Sequence, residues 1–194
     1  MSKKRILTTE AEYHGYQINT GTDKTLACDT GILDTIERVV DHCIAKHARV
    51  LAARFDVRFP EEYAPKNNEE IKEIMKQTVT STQRHAGTKP DYALVKERSE
   101  DGGFHYNGLL LLDHSVKRSP VKVLQEMERI ADHICGVEEK NGTDNQGLVH
   151  LCKEPLVIHR NNKEERDQVL YRASYLAKLK DKGEGREVFC SKTK

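Results

Sequence analysis

The sequence predicts an α+β fold: a mostly antiparallel sheet with flanking helices. Three observations point there. The apolar period changes from helical spacing to alternation near residue 50, two alternating runs at 91–98 and 104–113 flank a Gly-containing turn, and amphipathic helical stretches are interleaved with the strands. The chain of 194 residues is 37% hydrophobic and 32% charged, which suits one globular core and excludes a disordered or membrane-spanning composition.

Taken in order, residues 1–28 are polar and weakly periodic and read as an N-terminal arm, with a loop at 21–25. From Thr30 to about Ala48, Ile32, Ile36, Val39, Val40 and Cys43 recur at helical spacing. The period then becomes two. Leu51, Ala53, Phe55, Val57 and Phe59 form the core face of a strand over 50–59, Arg54, Asp56 and Arg58 form a charged face, and Pro60 closes it. Asn67 or Asn68 caps a helix over 69–84 whose inner stripe is Ile71, Ile74, Met75 and Val79. Asp91–Arg98 and Phe104–Asp113 are the arms of a hairpin around a turn at 99–103. Ser119-Pro120 opens a helix with Val121, Leu124, Met127, Ala131 and Ile134 inward and Gly136 near its end. A polar loop at 138–147 precedes short strands at 148–152 and 156–159, split around Pro155. Asn162 and Glu165 make a capping-box pattern for a last helix to about Asp181, and residues 183–194 read as a charged, flexible tail. With no internal repeat or composition break, 29–182 is expected to be a single domain.

A net charge of +1 supplies no global attraction to nucleic acid, so any such attraction rests on local groups such as Lys178, Lys180, Lys182 and Arg186, or Lys3, Lys4 and Arg5. The start, MSKKRILTTEAEYHG, lacks the apolar core of a signal peptide, and no apolar run has transmembrane length; a cytoplasmic protein without a membrane partner is expected. Five scattered cysteines (Cys28, Cys43, Cys135, Cys152, Cys190) with no CxxC pair read as small buried residues in a reducing compartment. Asn141-Gly142-Thr143 reads as a turn rather than a glycosylation site.

Chemistry concentrates in three segments. On 104–113, alternation sets His105 and Asn107 on one face, and imidazole nitrogen with amide oxygen suits a divalent ion such as Mg2+ or Mn2+. The plain alternative is a histidine satisfied by a hydrogen bond in the sheet. Asp56 and Glu97 are further oxygen ligands in the functional reading and structural ion-pair members in the other, while Arg54 and Arg58 are candidate phosphate contacts. On the last helix, Val169, Leu170, Ala173, Leu176 and Ala177 form an aliphatic stripe, with Tyr171, Tyr175, Lys178 and Lys182 on the opposite side. Tyrosines meant only for the core would join the stripe; these line a reactive site or a protein interface, or the helix is sandwiched between two layers. The reactive version has Tyr175 as nucleophile, Lys178 drawing its pKa down from about 10 and steadying a phosphate, and Tyr171 as a second nucleophile. The remaining histidines show no metal-ligand spacing.

Together VLAARFDVRFP, FHYNGLLLLD and VLYRASYLAKLKD resemble, over roughly residues 45–182, the inovirus-type replication-associated proteins of phages, satellites and prophages, which are similar to HUH rolling-circle replication initiators. The resemblance implies an HUH-endonuclease-like, RRM-related fold. It also implies a divalent metal on a His-hydrophobic-His strand, and a Tyr-x-x-Lys nucleophile, matched by Tyr175-Leu176-Ala177-Lys178. Asn107 departs from the pattern at the second His. The implied activity is metal-dependent nicking and strand transfer on single-stranded or hairpin DNA, with Lys180 and Lys182 joining Arg54 and Arg58 as DNA contacts and host replication proteins as further partners. A non-catalytic DNA-binding or regulatory protein on the same fold is the alternative that Asn107 favours, and a prophage protein engaging a host factor is a third.

Overall fold

The computed structural model describes residues 5–21, 25–59, 63, 67–98, 104–136, 148–179, 182 and 188–193. Four two-residue strands come first: β1 (Leu7–Thr8), β2 (Glu12–Tyr13), β3 (Tyr16–Gln17) and β4 (Cys28–Asp29). Then come α1 (Thr30–Lys46), β5 (Arg49–Arg58), α2 (Glu69–Ala86), β6 (Asp91–Arg98), β7 (Phe104–Asp113) and α3 (Val121–Cys135). The chain continues through β8 (Val149–Leu151), β9 (Leu156–His159), α4 (Lys163–Ala173), a 3₁₀ turn (Ser174–Ala177) and β10 (Val188–Cys190).

The main sheet runs β10-β6-β7-β5-β8, with β9 also on β5, and every pairing in it is antiparallel. The three long strands expected to share one antiparallel sheet do so, and it is flanked by four helices. Both of its faces are covered. On one, α2 and α3 bury Leu51, Phe55, Val57, Leu94, Tyr106 and Leu110; on the other, α1 and α4 bury Val50, Ala52, Ala93, Val95, Leu109 and Leu111. The second layer corrects the reading of β5 as having one core face: its charged face is core up to Ala52, and charge begins at Arg54.

Local sequence explains several boundaries. Asp29 caps α1 through a 2.9 Å bond from the Gly31 N–H, and Asn162 caps α4 by accepting from the Glu165 N–H at 3.2 Å. The capping box is not closed reciprocally, because the Glu165 carboxylate accepts from the His159 N–H instead. Asn68 is the N-cap residue of α2, but the side-chain bond to the first turn comes from Asn67, which accepts from the Glu69 N–H, while Asn68 accepts from the buried Tyr106 hydroxyl at 2.7 Å. Gly136 ends α3 at φ 65°, where a Cβ would be strained. Val121, expected inward, is exposed, since the buried stripe of α3 starts at Val123.

Three expectations are corrected. The N-terminal segment is no separate arm: Tyr16, Ile18 and Cys28 are buried against α1 and α4, and β1 pairs with β4. The last α-helix stops at Ala173 and tightens into the 3₁₀ turn, because Lys178 goes extended to bridge Cys28. The C-terminal tail contains β10, which covers the outer edge of β6. The hairpin turn, Pro60, the polar loop with Asn141, and Lys3, Lys4, Lys180 and Arg186 lie outside the described residues.

Candidate functional site

Strand register assembles the site. On β7, His105 lies between Arg58 of β5 and Glu97 of β6, and Asn107 lies opposite Asp56. Side chains at these paired positions leave the sheet on the same side. Gly108, next to Asn107, fixes the local spacing: a Cβ there would stand 2.5 Å from the Phe55 ring and 2.8 Å from Leu94, so only glycine lets that ring lie across β7.

Glu97 is the hub. One carboxylate oxygen, Oε2, accepts from Asn107 Nδ2 at 2.7 Å and meets His105 Nε2 at 3.2 Å; the other, Oε1, accepts from Lys182 Nζ at 2.6 Å. Burial pushes the Glu97 pKa up, but the His105 bond and the Lys182 charge outweigh it, and the carboxyl is held below its ordinary value. Asp56 is bound by Arg58 Nε at 2.8 Å. Cys152 lies beside Asp56, and burial with that neighbouring charge pushes its thiol up to about 11.

Above this sheet patch stands Tyr175, 41% exposed, with its ring between two cations: Arg54 at 4.7 Å and Lys178 at 4.5 Å from the centroid. The 3₁₀ turn accounts for the second contact, since residues three apart eclipse in that geometry and Tyr175 and Lys178 are three apart. Burial pushes the Lys178 pKa down; Cys28 opposes this and Arg54 reinforces it. Tyr171, 45% exposed, lies one turn earlier, while Val169, Leu170, Ala173, Leu176 and Ala177 are all buried as expected. The Arg54 Nε is buried with no hydrogen-bond partner among the described residues.

A cleft of about 1270 Å³ unites these groups: Tyr171, Tyr175, His105, Asn107, Asp56, Glu97, Arg54 and Arg58 all line it. Lys178 is not in its lining, and Lys180 lies outside the described residues. Lys182, expected as an outward DNA contact, is instead turned in on Glu97 with its side chain 2% exposed. The cleft also extends where sequence gave no pointer, over Tyr16, Gln17 and Asn19 of the N-terminal segment. Its wall from α4 and the 3₁₀ turn includes Lys163, Asp167, Gln168, Tyr171, Arg172 and Tyr175, of which only the two tyrosines stood out in the sequence opposite the aliphatic stripe.

Around Glu97, the His105 imidazole nitrogen and the Asn107 NH2 meet one carboxylate oxygen and the Lys182 ammonium meets the other, so the carboxylate is fully engaged by its neighbours. Among the described residues, the group of His, Cys, Asp and Glu ligand atoms lying within 4.8 Å of one another is His14, Asp34 and Glu37, elsewhere on the surface. There Tyr13 already bonds Asp34, and His14 and Arg166 bond Glu37, so these carboxylates serve to hold the N-terminal segment and α4 on α1.

Fold and cleft thus define an α+β protein with a polar, tyrosine-rimmed cleft on one face of an antiparallel sheet. The chain belongs to the YagK/YfjJ C-terminal domain family, whose pattern it matches over residues 8–191. Compared with the curated proteins and with the solved structures, it finds no match in either. Among the described residues no helix is long and apolar enough to cross a membrane.

Proposed function

We propose that the cleft is a DNA-processing site that nicks and transfers a single or hairpin strand through a phosphotyrosine, initiating replication of a mobile element in the cytoplasm. The observation that carries this reading is the common cleft: an exposed Tyr175 flanked by Arg54 and Lys178, over a sheet patch where His105, Asn107 and Glu97 converge. Tyr175 is the attacking group, and its hydroxyl oxygen bonds to phosphorus as the P–O3′ bond breaks. The hydroxyl proton is lost, the leaving O3′ gains one, and the protein stays joined to the 5′ phosphate. One phosphoester replaces another, so religation needs no ATP. Arg54, with its unsatisfied Nε, and Arg58 contact phosphate, and Tyr171 is the second nucleophile. His105, Asn107 and Glu97 would hold Mg2+ or Mn2+, with Asp56 as an outer oxygen; such an ion supplies charge stabilisation for the phosphoryl oxygens.

A second reading, a non-catalytic single-strand binder on the same fold, is favoured by Asn107 and by the Glu97–Lys182 pair, which already neutralises the carboxylate. Exposed tyrosines would then be stacking platforms for bases. Incubating the protein with single-stranded DNA from its own genetic element and Mn2+, then running a denaturing gel, separates the two. The nicking reading expects a covalent adduct that Tyr175→Phe abolishes. A wild type that binds DNA in a salt-dependent way but forms no adduct favours the second reading.

A further inference from the structure

We infer that a row of basic side chains at the end of the sheet away from Glu97, His114, Arg49 and His159 with Arg118 beside them, is a second contact for the phosphate backbone of DNA. This rests on the DNA-binding part of the reading above and not on cleavage. Register builds the row: Arg49 of β5 is paired with His159 of β9, and on its other side the His114 N–H donates to the Arg49 carbonyl at 3.0 Å. Leu51 and Phe55 of β5 belong to the core under α2 and α3, so Arg49 leaves the sheet on that face, and the alternation through Val157 and Leu112 puts His159 and His114 there too. The cleft opens on the opposite face, where Arg54 lies five residues further along β5 (54 − 49). The row and the cleft are separate surfaces.

Like charges set directly opposite one another across strands destabilise a sheet unless an anion neutralises them. Here the nearby carboxylates are engaged elsewhere. Glu165 takes His159 Nδ1 at 2.9 Å, while Asp113, on the other face, accepts from the Ser115 N–H and meets His47 at 3.3 Å. Arg49 and Arg118 are exposed, with no side-chain hydrogen bond or ion pair among the described residues. His114 Nδ1 is buried and likewise without a hydrogen-bond partner among them. Burial pushes the His114 pKa down, and Arg49, Arg118 and His159 push it further against the pull of Asp113, so positive potential gathers at this ring. Phosphate oxygens satisfy such a row, because they accept charge-assisted bonds from guanidinium and imidazole donors together. With Arg49, His159 and Arg118 exposed, the row is an open ridge, which fits a phosphodiester strand passing over the surface better than a small enclosed anion. The sheet edge joins it to the cleft: His159 is on β9, and Lys153, between β8 and β9, lines the cleft. Five residues of strand are about 17 Å, which a stacked DNA strand covers in about five nucleotides.

The test is fluorescence anisotropy of a labelled single strand, long enough to cross from cleft to row, titrated with the full chain over a range of salt. Arg49→Gln/Arg118→Gln should weaken binding at least tenfold and flatten the slope of log K against log salt by about 1.4, two phosphate contacts at about 0.7 each. Lys72→Gln/Lys76→Gln removes the same charge from exposed positions on α2 and should leave both affinity and slope near wild type. If the double arginine variant melts too early to titrate, Arg118→Gln alone carries the comparison, with a several-fold loss expected. Unchanged affinity and slope, or an equal loss in the α2 control, overturns the row and leaves the cleft standing, since the Tyr175 adduct is read separately. Anionic phospholipid vesicles that bind through these arginines while DNA binding is untouched would assign the row to a membrane surface and overturn it as well. A wild type that binds no DNA at any salt removes the DNA reading, and the row with it.

Discussion

Replacing Glu97 by Gln deletes one charge and keeps the side chain's shape, at the point where β6, β7 and the segment carrying Lys182 meet. The carboxylate accepts from Asn107, His105 and Lys182; an amide offers one acceptor oxygen and turns an NH2 group towards one of these donors. The side chains are 9% and 2% exposed for Glu97 and Lys182, so water screens the pair little. Removing one member of a buried pair costs about 3–5 kcal/mol, because the other charge is left uncompensated. For a domain of this size that corresponds to a fall in Tm of roughly 10 °C. The double variant Glu97→Gln/Lys182→Met should recover part of the loss, since replacing both partners is far less costly than orphaning one. The sign with pH follows from the lowered folded pKa. The stabilisation is present above the ordinary carboxyl value of 4.5 and is lost as pH falls through the folded value, so wild type and Glu97→Gln converge in acid. Urea unfolding of the four proteins of the cycle, at pH 7 and at low pH, measures all of this. A cost below about 1 kcal/mol, or strictly additive single variants, refutes the buried-pair account.

Tyr175→Phe keeps the ring between Arg54 and Lys178, so its unfolding free energy should stay within about 0.5 kcal/mol of wild type while the DNA adduct disappears. Gly108→Ala forces a methyl against Phe55 and Leu94 and should cost about 1–3 kcal/mol by denaturant unfolding, with partial recovery when Phe55→Leu is added. Arg166→Met removes the guanidinium that ties Glu37, Asp41 and Asp167 together; a loss of about 2 kcal/mol is expected, with limited proteolysis accelerated in the N-terminal segment that α4 holds.

The long elements were legible because their periods are unambiguous: β6 and β7 begin and end where alternation meets turn residues. The strands β1 to β4 have two residues each, too few for any period, so burial of Tyr16 and Ile18 in the core left no local trace. Likewise β10 has three residues within a charged stretch and is a strand only because β6 has an edge to offer. At the site, His105, Asn107 and Tyr175 stood out by residue type and spacing, and Asp56 and Glu97 by adjacency. What Glu97 bonds to was not legible, since it depends on cross-strand register and on a lysine 85 residues away. The length of the last helix was overestimated for a similar reason: Tyr171 to Asp181 has helical composition, and the long-range bridge from Lys178 to Cys28 overrides it.

The placement of β10 has a consequence for motion. Val188 pairs with Val95 across 93 residues (188 − 95), whereas the β6–β7 hairpin closes between Arg98 and Phe104. Its three residues at the sheet margin are the natural first unit to detach in a partial opening, well below the free energy of global unfolding. Lys182 lies six residues before β10 (188 − 182), so the same opening loosens its hold on Glu97 from one side. Native-state hydrogen exchange at the β10 amides and the availability of Glu97 are therefore expected to rise and fall together. A fluctuation at the rim of the sheet thereby bears on how firmly the carboxylate at the end of the neighbouring strand is held.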